Sequence, residues 1–203
     1  MKKLKKSLQD FSFFEREKVK DKTVGNKCGR DFLYYVLNFY FPEEFNNTTN
    51  NPETIDKLKL FGIPTSSSFA WTQIQFANIA SFLNQKGLKL NINDCEIKGY
   101  MSFVYANLFS RKEYNDAIKE VECAIDSNAA VGIDISLGML GLLDHVLFVY
   151  GYDDDNFFVF DTHRVSRLEY EPIDGNNFYF RLSKRVIRDR WTRFGRVWSV
   201  RKF

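Results

Sequence analysis

Residues 142–161 read LLDHVLFVYGYDDDNFFVFD and predict two β-strands joined by an acidic turn. Residues 145–150 form a short apolar run rich in aromatic and β-branched side chains, and residues 157–160 form a second one. The residues between them, GYDDDN, are typical of a tight turn. The sequence therefore predicts a hairpin that brings His145, at the start of the first strand, close to Asp161, at the end of the second.

The pairing of an imidazole with a carboxylate indicates a catalytic role when a nucleophile is available. Opposite residues of an antiparallel pair have Cβ atoms roughly 4.5–5.5 Å apart, so Asp161 can orient His145. The candidate nucleophile is Cys28, which comes just before a run of apolar residues at helical spacing that ends near Pro42. A helix N-terminus and a nearby imidazolium both lower the pKa of a thiol. Cys28, His145 and Asp161 therefore form a candidate catalytic triad.

Composition restricts the class of protein. The 203 residues are enough for a single domain, and the 44% hydrophobic and 17% aromatic fractions exclude a disordered chain. Apolar runs stay well short of the ~20 residues of a membrane span, and the basic N-terminus lacks the apolar segment of a signal peptide. We therefore expect a cytoplasmic protein. The three cysteines have no metal-ligand spacing, so we expect free thiols, no metal and no cofactor.

The order of the predicted elements indicates the α+β class. Helical patterns dominate the first half of the chain and strands the second, with no repeat and no strong linker. We predict one domain over residues 1–203, with residues 1–20 as an N-terminal arm. Helices are predicted at 28–40, 70–85 and 111–127, and strands at 88–92, 130–135, 178–182 and 196–201, whereas residues 100–109 are ambiguous.

The C-terminal segment is basic, with nine Lys or Arg and one acidic residue between positions 181 and 202. Arginines interleaved with aromatic residues can bind single-stranded nucleic acid. However, Ile187, Trp191 and Phe194 fall on one face of a helix that Ser183 would open, and that face is more simply core. Because a basic patch without a recognition motif is weak evidence, we expect Arg185 and Arg188 to be solvated, with nucleic acid an unlikely partner.

Four segments of the chain together resemble the C39-like branch of papain-like cysteine peptidases. They are residues 26–29 (NKCG), a GIPT turn before a second helix, the strand AVGIDI and the hairpin. Members have a Cys-Gly pair at a helix start and a strand reading roughly His-hydrophobic-Val-hydrophobic-Gly-Tyr-Asp. An Asn or Asp ends the next strand. The similarity covers residues 23–191 and implies a papain-like fold, with N-terminal helices packed on a C-terminal antiparallel sheet. It also implies peptidase activity on a peptide or peptide-like substrate, with Cys28, His145 and Asp161 as the triad.

The chain departs from this family at two places. Thr162 follows Asp161 where the family usually has proline, and the oxyanion glutamine upstream of the cysteine has no counterpart. Lys22 stands in its place, and Lys22 or Asn26 could donate to the oxyanion instead. Losing one such donor slows an enzyme by about 10²–10³, so we expect weak but real hydrolysis. The alternatives are an acyltransferase and a pseudopeptidase that binds a peptide or partner; the oligomeric state stays open.

Overall fold

The computed structural model describes residues 2–3, 28–42, 73–136, 144–161, 171–173, 179–191 and 195–203. These ranges hold five helices and nine strands. The helices are α1 Cys28–Tyr40, α2 Gln73–Gln85, α3 Tyr100–Phe109, α4 Tyr114–Asp126 and α5 Lys184–Arg190. The strands are β1 Lys2–Lys3, β2 Leu88–Ile92, β3 Cys95–Glu96, β4 Ala130–Ser136, β5 Asp144–Tyr152, β6 Asn156–Phe160, β7 Glu171–Pro172, β8 Tyr179–Ser183 and β9 Arg196–Lys202.

The strands form one sheet in the order β3-β2-β9-β4-β5-β6-β8-β7, and β1 pairs with the last two residues of β5. Every described pairing is antiparallel. The predicted α+β class is therefore confirmed. The papain-like arrangement within that class, and the single domain over residues 1–203, stay predictions.

The hairpin predicted from residues 142–161 is formed by β5 and β6. Its turn is held by Asp153, whose Oδ1 accepts hydrogen bonds from the backbone N–H groups of Asp155 (3.1 Å) and Asn156 (2.8 Å). The register shifts between Val149 and Gly151, which is a β-bulge. The Asp153 carboxylate therefore stabilises the turn itself, as the turn-forming composition predicts.

Helix α1 packs on the front face of the sheet, which we define as the side that carries Gly132, Phe148 and Trp198. These residues are paired across β5, β4 and β9 and so point the same way. Phe32 of α1 stacks on Phe148 with ring centroids 5.7 Å apart and meets Trp198 edge-on at 5.8 Å. A Cβ atom added to Gly132 would lie 3.1 Å from the Phe32 ring, so the glycine allows α1 to approach β4 closely.

Helix α4 packs on the opposite side, the back face of the sheet. Phe160 pairs with Phe148 and therefore lies on the front face. Phe157 comes three residues earlier in the same strand, so Phe157 and its partner Tyr152 lie on the back face. The Tyr152 hydroxyl donates to Asp126 of α4 at 3.0 Å. The sheet is thus covered by α1 on one side and α4 on the other.

Most predicted elements are found, with shifted ends. The ambiguous residues 100–109 form helix α3, and α4 begins at Tyr114 rather than at residue 111. Ser183 caps α5 as predicted, because its Oγ accepts from the Arg185 backbone N–H at 3.2 Å. Ile187 is buried whereas Arg185 and Arg188 are exposed, which confirms the solvated arginines. Helix α5 ends at Arg190 and the Trp191 backbone is extended, so the prediction that Trp191 shares a helical face with Ile187 is wrong. Phe194 and the predicted N-terminal arm, apart from β1, lie outside the described residues.

Candidate active site

The structure brings two of the three predicted catalytic residues together. His145 Nε2 lies 3.0 Å from Asp161 Oδ2, and both side chains are buried, with exposed fractions of 4% and 1%. The predicted contact between imidazole and carboxylate is therefore present. Because burial removes competing water, the carboxylate can hold the ring in one orientation.

The contact is diagonal across the hairpin rather than between directly opposite residues. Phe148 pairs with Phe160, so continuing the register by one step places Asp161 opposite Leu147. His145 lies two residues further along β5 and shares the face of Leu147. Diagonal neighbours are roughly 7–8 Å apart at their Cα atoms, a gap that an imidazole and a carboxylate can close between them.

This geometry determines which ring nitrogen would act as a base. An ionised carboxylate accepts hydrogen bonds only, so Nε2 of His145 carries the proton that faces Asp161. In the neutral imidazole the lone pair is then on Nδ1. Nδ1 is accordingly the atom that would take a proton from a nucleophile.

Helix α1 runs so that its first residue points toward the His145 end of the sheet. At its C-terminal end the Tyr40 hydroxyl donates to the Val200 carbonyl at 2.6 Å. Phe32 contacts Gly132, beside Val146 of β5, at the other end. The helix therefore follows β5 in the same direction, with its N-terminus nearest the start of that strand.

Cys28 is the first residue of α1, as predicted. It lies four residues before Phe32, which is about 6 Å further along the helix axis. Phe32 packs over Gly132 and its partner Phe148, and His145 lies three residues, about 10 Å, from Phe148 toward the start of β5. The helix start thus lies roughly one residue short of the level of His145. Helix α1 covers the front face of the sheet, whereas the His145 side chain belongs to the back face.

A second charged pair lies on the front face and was missed by the sequence analysis. Asp134 of β4 is buried, and Arg196 of β9 donates from Nη1 to its Oδ2 at 2.9 Å. The two residues are directly paired between the strands. A signal was present in the sequence, because Asp134 interrupts the apolar run AVGIDI, and a charge inside a buried strand needs a partner.

A third polar group, made of Asp94, Lys112 and Glu120, joins α4 to the turn between β2 and β3. Lys112 Nζ lies 2.7 Å from Glu120 Oε2 and also contacts Asp94. Burial raises the pKa of Glu120 to about 7, although the hydrogen bond from Lys112 acts in the opposite direction. This carboxyl is therefore poised to titrate near neutral pH.

Other predicted features lie outside the described residues, namely the oxyanion donors Lys22 and Asn26 and the residue Thr162. Within the described ranges, no group of three or more His, Cys, Asp or Glu side chains could hold a metal ion. None of the described helices is long and apolar enough to cross a membrane.

Comparison of this chain with protein-family models, with curated proteins and with solved structures finds no match. The similarity to C39-like peptidases therefore rests on the motifs around Cys28 and on the hairpin. Both the family and the triad stay predictions.

Proposed function

We propose that this protein is a thiol-dependent hydrolase with a papain-like fold, a cysteine peptidase that cleaves a peptide or amide bond. The observation that carries the proposal is the buried pair of His145 and Asp161 at the strand ends toward which the first residue of α1 points. An imidazole oriented by a carboxylate, in a chain with a cysteine at a helix start, supports the proposal of an activated thiol.

The proposed reaction has two halves. The Cys28 thiol gives its proton to Nδ1 of His145, and the thiolate attacks the substrate carbonyl carbon. The tetrahedral intermediate collapses, the C–N bond breaks, and the imidazolium returns the proton to the leaving amine. Water then attacks the thioester while His145 accepts its proton, and the departing thiolate recovers that proton as the acid is released. Asp161 holds the ring and stabilises the imidazolium throughout.

The oxyanion that forms in each half needs hydrogen-bond donors. The backbone N–H of Cys28 at the helix start is one, because the first N–H groups of a helix have no partner within that helix. We assign the second to Lys22, with Asn26 as the other candidate. A lysine stem is longer and looser than a glutamine amide, so turnover should be slow. Lys22→Ala should lower turnover further, and Lys22→Gln should preserve or raise it; an unchanged rate in Lys22→Ala excludes this donor.

The thiol reactivity of Cys28 tests the proposal most directly. At about pH 6 an activated thiolate should react with iodoacetamide far faster than an ordinary thiol, whose pKa is ~8.5. Cys95 and Cys123 are free thiols in the same chain and serve as internal references, Cys123 being exposed. We expect peptide mapping to find Cys28 labelled first, and its advantage to disappear in His145→Ala. Equal, slow labelling of all three cysteines would contradict the proposal.

Activity can be read without knowing the substrate. A proteome-derived peptide library is incubated with the protein and with its Cys28→Ala variant, and new peptide ends are identified by mass spectrometry. Cys123→Ala is the matched control, since it removes an exposed thiol outside the proposed triad. We expect cleavage that needs Cys28 but not Cys123. Amide-linked products would show acyl transfer instead of hydrolysis, and the same products from Cys28→Ala would leave a peptide-binding module as the remaining reading.

A further inference from the structure

We propose that helix α3 forms the interface of a symmetric homodimer, packed antiparallel against α3 of a second copy of the chain. The surface concerned is the outer side of the helix, which we call the α3 face and which consists of Met101, Tyr105, Leu108 and Phe109. The inference goes beyond the proposed peptidase activity and does not depend on it, because none of the proposed catalytic residues lies on α3.

Helix α3 is apolar on two opposite sides, whereas a helix at a protein surface ordinarily turns a polar side to water. Its inner side buries Phe103 and Ala106, and the helix contacts α2 and β2. The four side chains of the α3 face remain between 54% and 75% exposed. Because single exposed apolar residues are common but contiguous ones are not, the α3 face indicates a surface that another molecule covers.

The spacing of the exposed residues matches the packing of one helix on another. Met101, Tyr105 and Leu108 stand at positions i, i+4 and i+7, so they form one stripe along α3. Phe109 widens this stripe, and its ring lies against that of Tyr105 with centroids 5.3 Å apart. Because the two rings already hold each other in place, less side-chain freedom is lost when a partner binds.

The charges around α3 favour a second copy of the chain over an anionic membrane. Residues 94–113 contain three acidic and three basic side chains, whereas helices that bind anionic membranes carry an excess of Lys and Arg. Lys98, before the helix, and Glu113, after it, are both exposed. An antiparallel pair brings Lys98 of each copy to the end that carries Glu113 of the other. The surface is thus self-complementary, as a twofold axis requires.

The size of the α3 face fits a reversible dimer. A large apolar side chain presents about 150–250 Å² in all, so the four exposed ones amount to roughly 500 Å² per copy. Stable interfaces bury about 600–1,000 Å² per partner, with an apolar centre and a polar rim. The α3 face supplies such a centre, and Lys98, Arg111 and Glu113, all exposed at its two ends, supply the rim. We therefore expect a dimer that dissociates on dilution.

Sedimentation equilibrium of the full chain between about 1 and 200 µM measures this association. The average mass should rise with concentration from the 23.9 kDa of one chain toward twice that value. A reducing agent is present throughout, because the exposed thiol of Cys123 could otherwise link two chains. A mass that stays at one chain, or that rises beyond two chains, would overturn the inference, since a twofold contact closes at two copies.

Substitutions on the α3 face determine whether it is the interface. Phe109→Glu and Leu108→Glu should each weaken dimerisation at least tenfold, because a charge then lies in the apolar centre. Phe203→Glu is the matched control, since Phe203 is 71% exposed, against 70% for Phe109, and lies outside α3. All three positions are exposed, so each variant should unfold in urea with the cooperativity of the parent chain. Dimerisation as strong in Phe109→Glu and Leu108→Glu as in Phe203→Glu would refute the α3 interface.

A charge exchange tests the antiparallel direction. Lys98→Glu should weaken dimerisation several-fold, because it places two carboxylates at each end of the interface, and adding Glu113→Lys should restore the parent affinity. In a parallel pair each residue would meet its own copy, so Lys98→Glu would leave the affinity unchanged. A double variant that dimerises no more tightly than Lys98→Glu alone would exclude the antiparallel arrangement.

The competing occupant is a lipid surface, which sedimentation with vesicles detects. Vesicles of phosphatidylcholine with about 30% phosphatidylserine are mixed with the full chain, with Phe109→Glu and with Phe203→Glu. We expect all three proteins to stay in the supernatant. Binding of the parent chain as a monomer that is lost in Phe109→Glu but kept in Phe203→Glu would assign the α3 face to a membrane and overturn the dimer.

Discussion

Replacing Gly132 with alanine should crowd the contact between helix α1 and the sheet. A Cβ atom at this position would lie 3.1 Å from Cε2 and 3.2 Å from Cδ2 of the Phe32 ring, and 3.1 Å from Cγ1 of Val146. Ordinary van der Waals contact between carbon atoms begins near 3.5 Å, so both neighbours would have to yield by a few tenths of an ångström. Phe32 is held in turn by its stacking on Phe148, with ring centroids 5.7 Å apart. The added methyl group must therefore displace the Phe32 ring of α1 and the Val146 side chain of β5.

The expected cost follows from two opposing effects. Inserting a methyl group into a packed core typically destabilises a protein by about 1–3 kcal/mol. Replacing glycine inside a strand recovers about 0.5–1 kcal/mol, because alanine loses less backbone freedom on folding. We therefore expect Gly132→Ala to lower the free energy of unfolding by roughly 0.5–2 kcal/mol. Gly99 provides the matched control, because a Cβ atom there meets nothing within 4 Å.

Urea denaturation of the two variants and the parent chain measures this difference. Gly99→Ala should change the free energy of unfolding by no more than about 0.5 kcal/mol. If α1 carries the proposed nucleophile, Gly132→Ala should also slow the alkylation of Cys28, since the helix start moves relative to His145. A Gly132→Ala protein as stable as its parent would refute the close packing of α1 on β4.

Three further predictions concern other parts of the molecule. The pKa of Glu120 is raised from 4.5 to about 7, so its stabilising contribution is complete below 4.5 and is lost as pH rises through about 7. Glu120→Gln should therefore reduce the loss of stability between about pH 5 and 8 by up to roughly 3 kcal/mol, measured by urea denaturation at both values; an unchanged pH dependence would contradict this assignment. Replacing Trp191 with alanine should lower the free energy of unfolding by about 2–4 kcal/mol, because its half-buried side chain donates from Nε1 to a backbone carbonyl at 3.0 Å. Changing the exposed Arg185 and Arg188 to Gln should lower the free energy of unfolding by less than about 0.5 kcal/mol. Tight, salt-dependent binding of nucleic acid that these changes abolish would instead show that nucleic acid is a partner.

The hairpin shows how local information in the sequence leads to part of the site. Two apolar runs and a turn rich in Asp and Asn specify neighbouring antiparallel strands, because alternating side chains and turn geometry act over short distances. His145 and Asp161 are 16 residues apart, and the hairpin alone brings them together. The diagonal offset of the contact was less predictable, since the strand register depends on packing of both faces.

Helix assignments were reliable where one face is apolar and the other polar. Helix α4, with Val121 and Ile125 buried and Lys119 exposed, has such a pattern. Helix α3 lacks charged residues, and its apolar side chains lie on exposed as well as buried sides, for example Met101, which is 75% exposed, and Phe103, which is buried. Periodicity cannot distinguish helix from strand in such a segment, so its contacts with α2 and β2 decided the outcome.

By itself, the sequence determined the α+β class, the hairpin with its histidine–aspartate pair, and the helix that begins at Cys28. Each of these depends on periodicity or turn chemistry within about twenty residues of chain. Only the tertiary structure placed β9 between β2 and β4, which joins Asp134 to Arg196 across 62 residues. It also directed α1 along β5 so that its start points toward the His145 end of the sheet. Strand order and helix direction arise from burying whole apolar faces together, and no local pattern in the chain encodes which faces will meet.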